Sequence, residues 1–135
     1  MKRPEYFNLF AYGSLMCPQV MCAVTGIAPK GEAAVLSGYR RQPVQHELYP
    51  GLQPSPADHV HGKLYRVIPV RFMEMLDRFE GSEYERITVD VMTTSGLCVR
   101  AVVYCTSPPY RYRLREDTWD FEAFKRSEWR QLFDQ

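Results

Sequence analysis

Residues 72–91 read Phe-Met-Glu-Met-Leu-Asp-Arg-Phe-Glu-Gly-Ser-Glu-Tyr-Glu-Arg-Ile-Thr-Val-Asp-Val, and their hydrophobic period changes halfway. Phe72, Met75, Leu76 and Phe79 fall at i, i+3, i+4 and i+7, which gives one buried stripe on a helix opened by Pro69 and closed by Gly81. Beyond the glycine the period becomes two. Ile87, Val89 and Val91 alternate with Arg86, Thr88 and Asp90, and Leu97, Val99, Ala101 and Val103 follow after Thr94-Ser95-Gly96, which reads as a two-stranded hairpin.

Upstream, Tyr6 to Tyr12 is short, aromatic and closed by Gly13, as expected of a buried first strand ending in the tight turn Gly13-Ser14-Leu15. Pro18 is placed for the first turn of a helix over 18–25, with Gly26 as its stop. Strands are expected over 33–39 and 60–67. The prolines at 43, 50, 54 and 56, with Gly51, predict a long irregular loop over most of 42–58. Asp120 is a candidate N-cap for a C-terminal helix over 119–133 whose apolar face is Phe121, Phe124, Trp129, Leu132 and Phe133. Strands and helices interleave without a repeat or linker, so the 135 residues are read as one α+β domain spanning 1–135.

Composition narrows the function classes. The formal net charge is +1 with scattered basic residues, so the concentrated positive field required by nucleic acid or an anionic membrane is missing. The run Met1 to Tyr12 is too short and polar for a signal or spanning helix, and a cytoplasmic protein is expected. Cys17, Cys22, Cys98 and Cys105 form no C-x-x-C pair and are expected to be reduced, mostly buried thiols. A cysteine hydrolase built on Cys17 lacks a nearby base. His46, His59 and His61 are expected to be solvated rather than metal-bound. The run 108–115, Pro-Pro-Tyr-Arg-Tyr-Arg-Leu-Arg, reads as an exposed strand edge with solvated charges.

Two places could carry chemistry. In the turn Tyr12-Gly13-Ser14-Leu15, backbone N–H groups can converge on a carboxylate or an oxyanion, although such a turn is commonly only a tight connection. Glu80 ends the helix, where the carbonyl ends disfavour negative charge; burial beside the apolar stripe would raise its pKa further and suit it to proton transfer. A glutamate at a helix end is also ordinarily a solvated surface group. Strand parity places Tyr84 and Arg86 on one face, opposite Ile87 and Val89, where they could line the same cavity as Glu80.

The segments F-A-Y-G-S-L at 10–15 and L-D-R-F-E-G-S-E-Y-E-R at 76–86, in this order, resemble the two signature segments of the gamma-glutamylcyclotransferase-like superfamily. S-G-Y-R-R at 37–41, L-Y-P-G-L at 48–52 and V-H-G-K-L-Y at 60–65 are similar to its intervening pattern, and W-D-F-E-A-F-K-R at 119–126 resembles the plant avirulence-induced branch. The resemblance implies a compact mixed β-barrel with flanking helices and a cavity that holds a gamma-glutamyl group between Tyr12, Gly13, Ser14, Leu15 and Glu80. It implies cyclisation of that group to 5-oxoproline with release of an amine, Glu80 acting as general acid and base, no cofactor, and a small gamma-glutamyl molecule as substrate. Arg40 and Tyr104 match the family pattern as supporting residues, while a lone arginine after a strand is commonly a surface charge. The amine half of the substrate and the oligomeric state stay open, as does a protein that keeps the pocket and binds without turnover.

Overall fold

The computed structural model describes residues 5–127 and 129–132. Five strands, β1 (Tyr6–Ala11), β2 (Gly31–Pro43), β3 (Pro50–Pro69), β4 (Tyr84–Thr93) and β5 (Cys98–Thr106), close into a barrel in the order β1-β3-β2-β4-β5. Helix α1 (Pro18–Thr25) follows a 3-10 turn over Ser14–Met16, α2 (Met73–Glu80) precedes β4, and α3 (Phe121–Arg126) follows β5. Neighbouring strands are antiparallel except where β1 meets β5 in parallel at Leu9 and Val102, the seam that closes the barrel. Asn8 bridges that seam: its side chain donates to the Arg100 carbonyl at 3.0 Å and accepts from the Val67 amide at 3.1 Å.

Alternation along each strand divides the apolar residues into two cores. Phe10, Leu36, Leu52, Val60, Leu64, Val91, Ala101 and Val103 form one, with Ile87, Val89 and Val99 against it. Leu9, Tyr65, Ile68 and Tyr104 form the other, with Val20 and Met21 of α1, Phe72 and Leu76 near and on α2, and Phe124 of α3. The helices therefore cover one outer face of the barrel. The expected stripe on α2 is present in Phe72 and Leu76, with Phe79 partly buried, whereas Met75 turns outward and is 43% exposed.

The expected irregular loop over 42–58 is corrected: β2 runs on to Pro43, β3 starts at Pro50, and the two pair from Pro43↔Pro50 to Gly31↔Tyr65. Proline is tolerated because Pro43 and Pro50 sit at the open end of the ladder, where a missing N–H costs little. Pro54 borders, and Pro56 lies within, a register shift in which Gly38, at φ 86°, lies opposite residues 55–58. The expected strand edge at 108–115 is a 3-10 helix over Pro108–Arg113, since consecutive prolines suit a helix start and not a ladder. Arg113 is not solvated; it donates to Glu83 at 2.6 Å and to the Gln45 carbonyl at 3.3 Å.

The C-terminal helix is shorter than expected. Asp120 caps α3 by accepting from the Glu122 amide, but Ser127 is extended and its hydroxyl takes the Phe124 carbonyl at 2.6 Å, so a separate 3-10 turn over Trp129–Leu132 follows. Phe133 lies outside the described residues, as does the side chain of Leu132. The four thiols are free; Cys17 and Cys105 are buried, Cys22 and Cys98 exposed.

At Gly62, β3 packs tightly against the end of β1. A Cβ there would lie 2.4 Å from the Ala11 carbonyl oxygen and 2.5 Å from the Phe10 ring, and the backbone contact cannot swing away. Gly62→Ala is expected to destabilise the fold by about 2–3 kcal/mol, read as a lowered denaturation midpoint with an unchanged denaturant slope. A midpoint equal to that of the parent would show that β1 and β3 can separate freely at this point.

Candidate active site

A cavity of about 280 Å³ opens between the helix-covered face of the barrel and the end of α2. Its walls come from the end of β1 (Leu9, Phe10, Ala11), the turn Tyr12 to Leu15, Tyr49 and Pro50 at the start of β3, Phe79 and Glu80 of α2, Tyr84 of β4 and Tyr104 of β5. The turn must pass close under β3: a Cβ on Gly13 would sit 2.8 Å from Pro50 Cγ, which leaves glycine as the residue that fits. The Met16 and Cys17 amides fold back on the Gly13 and Ser14 carbonyls, each at 3.0 Å, and tighten the turn into its 3-10 form. Among the described residues the amides of Gly13, Ser14 and Leu15, all residues of the cavity wall, have no protein acceptor.

Glu80 is the last residue of α2 because Gly81, at φ 76°, ends the helix and its amide returns to the Asp77 carbonyl at 3.0 Å. That stop fixes where the acid leaves the helix. Its side chain faces the cavity, and burial pushes its pKa up from 4.5 to about 8. No hydrogen bond or ion pair to the Glu80 carboxyl exists among the described residues. Three tyrosines stand around it, yet each has spent its hydroxyl proton elsewhere. Tyr12 donates to the Tyr104 carbonyl at 2.5 Å, Tyr84 to the Pro50 carbonyl at 2.7 Å and Tyr104 to Asp77 Oδ1 at 2.6 Å. A hydroxyl has one proton to give, so none of the three tyrosines stabilises a carboxylate at Glu80. Burial above all, followed by Tyr84 at Tyr12, Glu80 at Tyr84 and Asp77 at Tyr104, pushes the pKa values of the three tyrosines up, and all three remain neutral donors.

Asp77, one helical turn before Glu80, ties α2 to the β4–β5 hairpin. Arg86 and Tyr104 face each other across the hairpin, and both donate to its carboxylate. Burial opposes ionisation of Asp77, but these two donors outweigh it and hold the group below the usual carboxylate range. Two acids on the same helix, three residues apart, are thus set in opposite protonation states by their neighbours.

Of the residues singled out by sequence, the structure brings Tyr12, Gly13, Ser14, Leu15, Glu80, Tyr84 and Tyr104 into one cavity. Arg86 shares the face of Tyr84, as parity required, but lines an adjoining depression with Asp77. Arg40 is corrected: it points to the surface and pairs with Glu116 at 2.9 Å, because consecutive strand residues face opposite ways. Its neighbour Arg41 takes the inward side and donates to the Tyr12 carbonyl at 2.9 Å. Asp77, Tyr49 and Phe79 were not singled out as site residues. Asp77 could have been found from its i−3 spacing to Glu80; Tyr49 had no local signal, since it reaches the cavity only through the β2–β3 pairing.

Among the described residues no group of three His, Cys, Asp or Glu side chains could hold a metal ion, and no helix is long and apolar enough to cross a membrane. His59 and His61 pack edge to face, with ring centroids 5.1 Å apart.

Barrel, turn and cavity define a mixed α+β barrel protein with an acid-bearing pocket beside a turn of free amides. Residues 9–130 match the model of the family described as gamma-glutamyl cyclotransferase, AIG2-like, and the chain belongs to that family. It is 37% identical over 129 residues to AIG2-like protein C of Arabidopsis thaliana, covering 93% of this chain and 70% of that one. A solution structure of an Arabidopsis thaliana protein superposes with a TM-score of 0.73 at 28% identity, over 98% of this chain and 89% of the other. A structure named gamma-glutamyl cyclotransferase shares the fold with a TM-score of 0.67 at 21% identity, over 79% and 75% of the two chains.

The raised pKa of Glu80 has a consequence for stability. Between pH 4.5 and about 8 the folded protein keeps a proton that the unfolded chain releases, so this group makes stability fall as pH rises through that window. Glu80→Gln is expected to be more stable than the parent by a few kcal/mol at pH 8, with little difference below pH 4.5, as read by denaturant unfolding at a series of pH values. Parallel curves for the two proteins would mean that Glu80 titrates like a surface carboxylate.

Proposed function

We propose that the protein is a gamma-glutamylcyclotransferase that closes the gamma-glutamyl group of a small gamma-glutamyl amide into 5-oxoproline and releases the amine. The observation that carries this is the juxtaposition of one half-buried acid that has no side-chain partner with a turn of unpaired amides in a cavity sized for a small molecule. The reaction is intramolecular. The α-amine of the gamma-glutamyl group attacks its own γ-carbonyl, the new C–N bond closes a five-membered ring, and the old C–N bond breaks to release the amine.

One residue serves both proton transfers. Glu80, when ionised, takes a proton from the α-nitrogen as it bonds to the γ-carbonyl carbon, and the carboxylic acid so formed returns it to the departing amine nitrogen. A pKa of about 8 suits both steps, because neither form is strongly disfavoured near neutral pH. The free amides of Gly13, Ser14 and Leu15 hold the anionic oxygens of the substrate, and Ser14 acts through its amide rather than as a nucleophile. Tyr12, Tyr84 and Tyr104 shape the walls. Arg86 acts from outside, through Asp77, by holding the end of α2. No step calls for a cofactor.

The test is incubation of the protein and its Glu80→Gln variant with a panel of gamma-glutamyl amides, with 5-oxoproline followed by mass spectrometry. The parent is expected to form 5-oxoproline, its kcat/KM rising with pH through a midpoint near 8 as Glu80 ionises in the free protein. The variant should lose about 100-fold or more in kcat, the scale of general acid–base catalysis. Ligand binding without turnover by either protein would assign the pocket to a noncatalytic role.

A further inference from the structure

Three free amides in a turn make an anion site only if something keeps them turned toward the cavity. In a trans peptide the carbonyl of one residue and the N–H of the next point in opposite directions, and the described residues contain no cis bond. The free amides of Gly13, Ser14 and Leu15 therefore belong to peptide planes whose carbonyls are those of Tyr12, Gly13 and Ser14. Two of these carbonyls are held by the turn itself, through the Met16 and Cys17 amides. The Tyr12 carbonyl receives no backbone donor. It is held instead by Arg41 Nη1, at 2.9 Å.

Arg41 is unusual among the arginines near the barrel. It is half-buried, which lowers its pKa, and although the Asp120 charge acts on it from a distance, no carboxylate among the described residues lies within ion-pair reach. Its guanidinium lies over the Trp119 ring, 5.4 Å from the centroid, and Nη1 also reaches the His61 carbonyl at 3.3 Å. Arg41 is absent from the cavity wall. A cation that spends its hydrogen bonds on carbonyls polarises them, and a polarised peptide donates more strongly from its N–H side.

We propose that Arg41 is a positioning residue for the anion-binding turn: by gripping the Tyr12 carbonyl from behind, it aims and strengthens the Gly13 amide that receives an anionic oxygen of the ligand. The inference rests on the cyclotransferase reading for its kinetic consequence but not for its structural one. The surface residue Arg40, one position earlier, has no such part.

The experiment uses the full chain and its Arg41→Gln and Arg41→Lys variants, 15N-labelled, with 5-oxoproline as the probe. In the parent, 5-oxoproline is expected to shift the amide signals of Gly13, Ser14 and Leu15. In Arg41→Gln the same shifts should need roughly tenfold more ligand, and kcat/KM for the best gamma-glutamyl amide should fall by a similar factor. Arg41→Lys, which keeps the charge but loses the planar fork, should lie between them. The alkaline midpoint of the rate profile should stay near 8 in every variant, since Glu80 is untouched. Should Arg41→Gln fail to fold, Arg41→Lys decides alone by its intermediate affinity. Parent-like titration by whichever variant folds overturns the proposal, and so does a parent whose Gly13 amide ignores the ligand. If the parent makes no 5-oxoproline from any amide, the cyclotransferase reading fails while the amide titration still judges the role of Arg41.

Discussion

A carboxyl group drawn partly out of water, with no cation or hydroxyl proton assigned to it, is the feature around which this molecule is arranged. Glu80 would ordinarily find a partner, because an unpaired buried charge is expensive. Here the nearby donors are committed in advance. Tyr12, Tyr84 and Tyr104 give their protons to two carbonyls and to Asp77, and Arg86 is drawn to Asp77 rather than to Glu80. The cost falls on Glu80, which holds its proton to about pH 8. Such a group can give and take a proton near neutrality, as an ordinary surface glutamate cannot.

The position of the cavity follows from the two-core construction. The cavity lies where the two cores meet, walled by Phe10 and Tyr12 of one and by Leu9, Ala11 and Tyr104 of the other, which the helices do not cover completely. The gap lies where α2 ends at Gly81 and where the turn after β1 narrows to pass under Pro50. Its outer wall is the β2–β3 connection, which carries Tyr49. That connection is held from below by Arg113, bonded to Glu83 and the Gln45 carbonyl, and by Trp119, whose indole N–H donates to the Leu48 carbonyl at 2.8 Å. The run 108–115 thus supports the pocket wall.

Much of the site was legible in the residues from 72 to 91, because periodicity is a local property. Helix spacing up to Phe79, the glycine stop and the switch to alternation placed Glu80 at a helix end and put Tyr84 and Arg86 on a common face. The proline-rich stretch was misread for an equally physical reason. Proline reports a missing N–H, but whether that donor is needed depends on the partner strand, and Pro43 faces Pro50 at the open end of a ladder. Arg40 and Arg41 are alike in sequence. Only strand pairing decides which of them turns inward.

The sequence by itself determined the element types, the glycine turn after β1, the helix stop that exposes Glu80 and the family resemblance, all of which depend on residues close together in the chain. Tertiary structure alone decided the closure of β1 on β5, the inward course of Arg41, the contribution of Tyr49 and Pro50 to the cavity, and the commitment of three tyrosine protons away from Glu80. Those outcomes join residues far apart in the chain, Tyr12 to Tyr104 and Tyr84 to Pro50 among them. A pKa is set by what surrounds a group in space, so the protonation of Glu80 had to wait for the fold.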